Sequence, residues 1–284
     1  MLSRIGAYAS FVRFSHTVFA LPFALSGALL ASQETSLTWE RVVLIIFAMG
    51  AARTAAMSFN RIVDARFDSK NPRTMNRELP RGIIKRREAV IVVVASSLVF
   101  VFVCFMLSPI CFWLSPVALG IVFWYSLAKR FTNYTQLFLG LAMAVAPVGG
   151  WLAVSGKFSL VPGLLALGIA TWVAGFDILY ACEDIDFDRR YGLRSIPARF
   201  GIAPSLKISR LLHVVTVLSL TSVALVITLA PLYYLGMLGV TALLMYEQSM
   251  VRIDDLSRIK EAFDLNGWVG ILYLLTTAAG LYGV

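Results

Sequence analysis

The sequence predicts an all-α fold of the polytopic membrane kind, and three observations carry the prediction. Of the 284 residues 59% are apolar and only 14% are charged, with a mean hydropathy of +0.79. A soluble domain is about half apolar and a quarter charged, so this chain has too little polar surface to coat a water-soluble globule. Apolar runs long enough to cross a bilayer recur along the chain. Basic residues collect in alternate gaps between those runs, as they do in cytoplasmic loops.

Taken in order, the runs are 14–32, 42–59, 89–107, 110–128, 135–154, 161–180, 208–229, 232–249 and 266–283. A hydrocarbon core about 30 Å thick needs roughly 20 residues of helix, so each run is read as one transmembrane helix, nine in all. The first follows basic residues, but Arg13 and His16 interrupt it and its hydrophobicity continues too far for a cleaved signal peptide. The 110–128 and 232–249 helices depend on tight turns at Ser108-Pro109 and at Pro231. No linker or low-complexity tract divides the chain, which reads as one transmembrane domain, 1–284. Cys104, Cys111 and Cys182 form neither a metal-binding nor a disulfide pattern.

The formal net charge is +9, but its distribution points to membrane orientation rather than to nucleic acid. Loop 60–87 carries Arg61, Arg66, Lys70, Arg73, Arg77, Arg81, Lys85, Arg86 and Arg87. Loop 181–207 carries Arg189, Arg190, Arg194, Arg199 and Lys207; Lys129 and Arg130 follow the fourth helix, and Arg252, Arg258 and Lys260 precede the ninth. With alternating spans all of these share one side, while the other receives only Arg41 and Lys157. The N-terminus is therefore expected in the cytoplasm and the C-terminus outside, in a bacterial inner membrane.

Two acidic clusters lie on that cytoplasmic side. Asn60, Asp64 and Asp68 recur every four residues, and each step of four returns to nearly the same helix face, drifting by about 40°. Asp177, Tyr180, Asp184 and Asp188, at offsets of three, seven and eleven, form a second stripe. Carboxylates gathered on one face near lipid repel one another and are costly to desolvate, so a cation is expected among them. Mg²⁺ suits the all-oxygen set Asn60, Asp64, Asp68, Asp184 and Asp188, because it commonly bridges one or two carboxylates to substrate phosphates. Facing clusters of this kind would hold a diphosphate, with Arg73, Arg77, Lys129, Arg130 and Arg194 as further cations. Aspartates beside arginines also form solvated salt bridges of little energy, the plain reading for Glu183 and Asp186, which lie off the stripe. Arg53 sits two turns deeper than Asn60 in an apolar run, where a guanidinium is expensive unless it is functional, acid-paired or snorkelling to the interface. His213 is expected just inside a span with a hydrogen-bond partner.

These residues resemble the UbiA superfamily of intramembrane prenyltransferases, most closely its 4-hydroxybenzoate polyprenyltransferase-like branch. Arg13 and the following Leu21-Pro22 are similar to the family's first-helix pattern. Asn60, Asp64 and Asp68, with the stretch Lys70 to Gly82, resemble its first aspartate-rich motif. Tyr125 and Lys129 match a Tyr-x-x-x-Lys motif, and Asp177, Tyr180, Asp184 and Asp188, with Gly192 to Gly201, match the second. One departure stands out: Arg61 follows Asn60 where many relatives carry Asp.

The resemblance implies nine transmembrane helices around a central cavity with cytoplasmic cap loops, and transfer of a polyprenyl group from a prenyl diphosphate to an aromatic acid in quinone biosynthesis. The catalytic residues it implies are Asp64, Asp68, Asp177, Tyr180, Asp184 and Asp188. Arg13, Arg53, Asn60, Arg73, Arg77, Tyr125, Lys129 and Arg194 would bind substrates, Arg13 or Arg53 holding the acceptor carboxylate. A prenyl tail is as apolar as the lipid bilayer and would enter from it. The alternatives are a menaquinone-pathway or other relative with a different acceptor and, from another class, a cation-coupled transporter, which expects acids near the bilayer midplane.

Overall fold

The computed structural model describes residues 20–283 together with Gly6, Tyr8, Ser10 and Phe11; Arg13 and His16 lie outside the described residues. The helices in order are α1 (Leu21–Ala31), α2 (Trp39–Asp68), α3 (Arg86–Leu107), α4 (Pro109–Leu127), α5 (Thr135–Ser155), α6 (Leu160–Ala181), α7 (Ile185–Tyr191), α8 (Ile196–Phe200), α9 (Ile202–Val226), α10 (Leu232–Met250) and α11 (Ile259–Tyr282). Short 3₁₀ turns at Ala128–Arg130 and Cys182–Asp184 follow α4 and α6. No strand occurs among the described residues.

Seven helices among the described residues are long and apolar enough to cross a membrane, against the nine runs expected. The described part of the first run, α1, has 11 residues. The eighth run, 232–249, is present as α10, but Tyr233, Tyr234, Glu247 and Gln248 leave it less apolar than the seven. Hydropathy also placed two starts late. α9 begins at Ile202 and α11 at Ile259, so Lys207 and Lys260 lie on helices rather than in loops; charged end turns depress a hydropathy window but still form helix.

Local sequence explains the breaks. Thr38 caps α2 by accepting the Arg41 N–H, and Ser108 caps α4 by accepting the Cys111 N–H just before Pro109 opens that helix. Gly156 and Gly192 take φ of +65° and +68° where α5 and α7 stop, the left-handed conformation that glycine adopts without strain. With 30 residues, α2 is about 45 Å long, more than the hydrocarbon core. Its last turns carry the first acidic motif.

α6 sits centrally, packed against α5 and α9; α1 lies on α5, α2 on α3, and α11 on α10 and α1. Small residues let backbones meet: Gly27 abuts the Pro147 carbonyl and Gly150 the Ala24 carbonyl, so a Cβ at either would collide with backbone. Phe23 of α1 stacks with Trp172 and Tyr273, centroids 4.8 and 5.7 Å away. Beneath them a buried polar network ties α6, α9, α10 and α11. Asn266 accepts from Trp172 at 2.8 Å and donates to Glu247 at 2.7 Å, while His213 lies 3.3 Å from the Trp172 carbonyl and 3.0 Å from Gln248. The outer surface exposes Leu98, Phe102, Phe105, Trp113, Leu225 and Leu238, apolar side chains suited to lipid.

Candidate active site

The first motif occupies the end of α2. Asn60 Nδ2 donates to Asp64 Oδ2 at 3.1 Å, one turn further along. After Asp68 the chain winds back on itself: Thr74 donates its hydroxyl to the Asp68 carbonyl at 3.2 Å, and Asn71 Oδ1 accepts the Arg73 N–H at 2.9 Å. These bonds return Arg77 to Asp68, whose two carboxylate oxygens it meets at 2.7 and 2.8 Å. They also project Arg73 across to the second motif, where it pairs with Asp184 and with Glu183, the latter at 3.3 Å. Asn71 adds a 3.4 Å bond to Asp184.

The second motif straddles the end of α6. The expected single stripe is tightened by the 3₁₀ turn at Cys182–Asp184, after which α7 carries Asp188 into the interior, 1% exposed. Ser195 donates to Asp188 Oδ2 at 2.9 Å, and Lys129 Nζ lies 3.8 Å from Oδ1. Arg130 pairs with Asp64 at 3.1 Å and donates to the Val63 carbonyl at 2.9 Å. Each of Asp64, Asp68, Asp184 and Asp188 thus faces its own cation.

The two motifs border one cavity of about 710 Å³. Its wall includes twelve of the expected residues: Arg53, Asn60, Asp64, Asp68, Arg73, Arg77, Tyr125, Lys129, Asp177, Tyr180, Asp184 and Asp188. Away from the acids the wall is apolar, supplied by α1, α3, α4 and α5.

A model of the UbiA prenyltransferase family matches residues 20–273, nearly the whole chain. The chain belongs to the UbiA prenyltransferase family. It is 32% identical over 235 residues to a 4-hydroxybenzoate octaprenyltransferase of Alkalilimnicola ehrlichii, covering 82% of this chain and 80% of that protein. It superposes on the apo structure of a UbiA homolog from Aeropyrum pernix K1 with a TM-score of 0.85 at 34% identity, covering 94% of this chain and 97% of the other. A UbiA homolog from Archaeoglobus fulgidus bound to GPP and Mg²⁺ shares the fold, with a TM-score of 0.74 at 19% identity over 97% of this chain and 99% of that one.

As a UbiA prenyltransferase the chain is an enzyme, not a cation-coupled transporter, and one expected site residue stands outside its cavity wall. Arg194 does not line it. Its N–H donates to the Lys129 carbonyl at 2.9 Å and its guanidinium to the Phe131 carbonyl at 2.7 Å, so it braces the turn that presents Lys129. Arg13, the other arginine expected at the UbiA site, lies outside the described residues. Arg61, which replaces the Asp of many UbiA relatives, is 4% exposed and stands outside the cavity wall. The residues that sequence reasoning passed over are Asn71 and Gln136, lone amides whose type and spacing carry no pattern.

The donor chemistry fits a hard cation: the carboxylates and Asn60 offer only oxygen to a metal. Among the described residues no group of three or more His, Cys, Asp or Glu is placed to hold an ion unaided, so substrate phosphates would have to complete the coordination.

Proposed function

We propose that this protein transfers a polyprenyl group from a prenyl diphosphate to an aromatic acid of the 4-hydroxybenzoate type, in quinone biosynthesis. The observation that carries this reading is the cavity that joins two carboxylate motifs, three ion-paired cations and an apolar wall. The name of the 32% identical relative supports the acceptor class.

Asn60, Asp64, Asp68, Asp184 and Asp188 would hold Mg²⁺, which supplies Lewis-acid stabilisation of charge on the diphosphate. Arg73, Arg77 and Lys129 bind its oxygens, and this fixed positive field favours breaking the bond between the allylic carbon and the diphosphate oxygen. The cavity wall keeps water from the resulting allylic cation. An electron-rich ring carbon then bonds to that cation, and loss of the ring proton restores aromaticity. Arg53, deeper than the motifs, holds the acceptor carboxylate by its planar fork, while Asp177 and Tyr180 orient the ring.

A long polyprenyl tail is as apolar as lipid and would reach the cavity from the bilayer. Val117 of α4 and Leu141 of α5 belong to the wall yet are 56% and 55% exposed on the lipid side, which supports an exit for the tail between these helices. The full arrangement is nine helices with α1 and α10 completing the bundle, the motif loops forming a cytoplasmic cap and the C-terminus outside. The test is direct: purified protein with Mg²⁺, geranyl diphosphate and a panel of aromatic acids should give a prenylated 4-hydroxybenzoate by mass spectrometry. Turnover of naphthoic acids alone would move it to another acceptor.

A further inference from the structure

α5 starts just after the turn that carries Lys129, and its first turn forms part of the cavity wall. Tyr134, at the N-cap, offers no side-chain oxygen to the first-turn N–H groups, so this 21-residue helix keeps the partial positive charge of an uncapped start. Many helices begin so. What distinguishes α5 is its first two side chains.

Gln136 is 0% exposed, and its amide has a defined orientation. Its Oε1 accepts the Ile196 N–H at 3.2 Å, a bond that only the oxygen end of the amide can make. The two hydrogens of Nε2 are therefore at the other end, where Nε2 has no hydrogen-bond partner among the described residues. The Thr135 hydroxyl oxygen, in the same stretch of wall, is also buried without a partner. Buried donors are nearly always satisfied, and two orphans on consecutive residues of an enzyme cavity's lining point to an acceptor that arrives with the substrate.

Their surroundings identify that acceptor. Ile196 follows Ser195, which holds Asp188 at 2.9 Å, and Asp188 faces Lys129 at 3.8 Å. Gln136 is thus tied through Ile196 and Ser195 to the second acidic motif, and Thr135 precedes it on the same cavity wall. They also differ from the basic residues around them: Arg73, Arg77, Lys129 and Arg130 are each tied to a carboxylate, whereas the amide and the hydroxyl are uncommitted.

We propose that Gln136 Nε2 and the Thr135 hydroxyl, at the start of α5, are substrate-binding donors to phosphate oxygens of the prenyl diphosphate. The proposal rests on the diphosphate reading of the cavity given above. As neutral donors they bind an oxygen without competing for the motif carboxylates, and their bonds strengthen as negative charge develops on the leaving group.

The test uses the intact protein in nanodiscs, with binding of magnesium pyrophosphate measured by calorimetry and steady-state kinetics with geranyl diphosphate and 4-hydroxybenzoate. Gln136→Glu keeps the side-chain length and an oxygen for the Ile196 N–H but replaces the NH₂ donor. Pyrophosphate affinity should fall at least ~10-fold, the scale of a hydrogen bond to a charged group, and KM for geranyl diphosphate should rise while KM for the acid stays within about twofold. Thr135→Val, nearly isosteric, should cost about threefold in pyrophosphate affinity. Unchanged pyrophosphate affinity in Gln136→Glu, or a rise in KM for the acid alone, overturns the assignment. If Gln136→Glu does not fold, unchanged affinity in Thr135→Val overturns it instead. Failure of the wild type to bind magnesium pyrophosphate overturns both this proposal and the diphosphate reading beneath it.

Discussion

Arg73 is the cross-link between the two acidic motifs, for its guanidinium bonds to Asp184, 111 residues later in the chain. The same group lies over the Tyr180 ring, 4.7 Å from its centroid, so charge and ring together hold the first motif's loop against the second. Arg73→Gln should therefore loosen both motifs. The expected result is a rise of at least ~10-fold in KM for the prenyl diphosphate, with Arg73→Lys intermediate because it keeps the charge but not the planar fork. An unchanged KM in Arg73→Gln would show the pair to be an ornament of the surface.

Metal dependence follows from the oxygen-only donor set. Asp64→Asn and Asp184→Asn each remove a charge that a divalent ion needs, and turnover should fall at least ~100-fold, about 2.7 kcal/mol of transition-state stabilisation. Size-exclusion profiles should stay those of the wild type. Because each carboxylate already faces a basic side chain, Mn²⁺ alone should bind weakly and inorganic pyrophosphate should tighten it, as read by the electron paramagnetic resonance of free Mn²⁺. Tight binding of Mn²⁺ without pyrophosphate would contradict this account.

The depth of Arg53 separates the acceptor half of the site from the diphosphate half. It lines the cavity two helical turns below Asn60 on α2. Arg53→Lys should raise KM for the aromatic acid more than KM for the prenyl diphosphate, the pattern of lost contacts to one substrate. The reverse pattern would assign Arg53 to the leaving group.

Close backbone approach sets the stability of the α1–α5 pair. In Gly150→Ala the new methyl would meet the Ala24 carbonyl, and in Gly27→Ala the Pro147 carbonyl. Overpacking of this kind costs about 1–3 kcal/mol, so each variant should lower the thermal midpoint in detergent. Gly149→Ala, where a Cβ meets nothing within 4 Å, is the control and should leave it unchanged.

Sidedness is tested with reporters. A fusion after Gly192, between α7 and α8, should report cytoplasm, and one at the C-terminus the exterior. An exterior signal at Gly192 would invert the orientation taken from the basic loops.

By itself the sequence determined whatever depends on near neighbours in the chain. Apolar runs located the helices because a membrane helix satisfies its own backbone and needs only length and apolarity. The spacing of Asn60, Asp64 and Asp68 put them on one face because helix geometry is local, and the matching stripe from Asp177 to Asp188 was legible for the same reason even though a 3₁₀ turn tightens it. Tertiary structure alone decided the partners. That Arg73 reaches Asp184, and that Arg130 reaches Asp64 across 66 residues, depends on how α2, α4 and α6 converge, which no periodicity encodes. It likewise turned Arg194 away from the cavity to brace Lys129, since an arginine in a basic loop looks the same in sequence whichever way its side chain leaves the backbone. Gln136 was silent for a related reason: one amide at a helix start acquires meaning only when Ile196, 60 residues away, takes its oxygen and leaves its nitrogen without a partner.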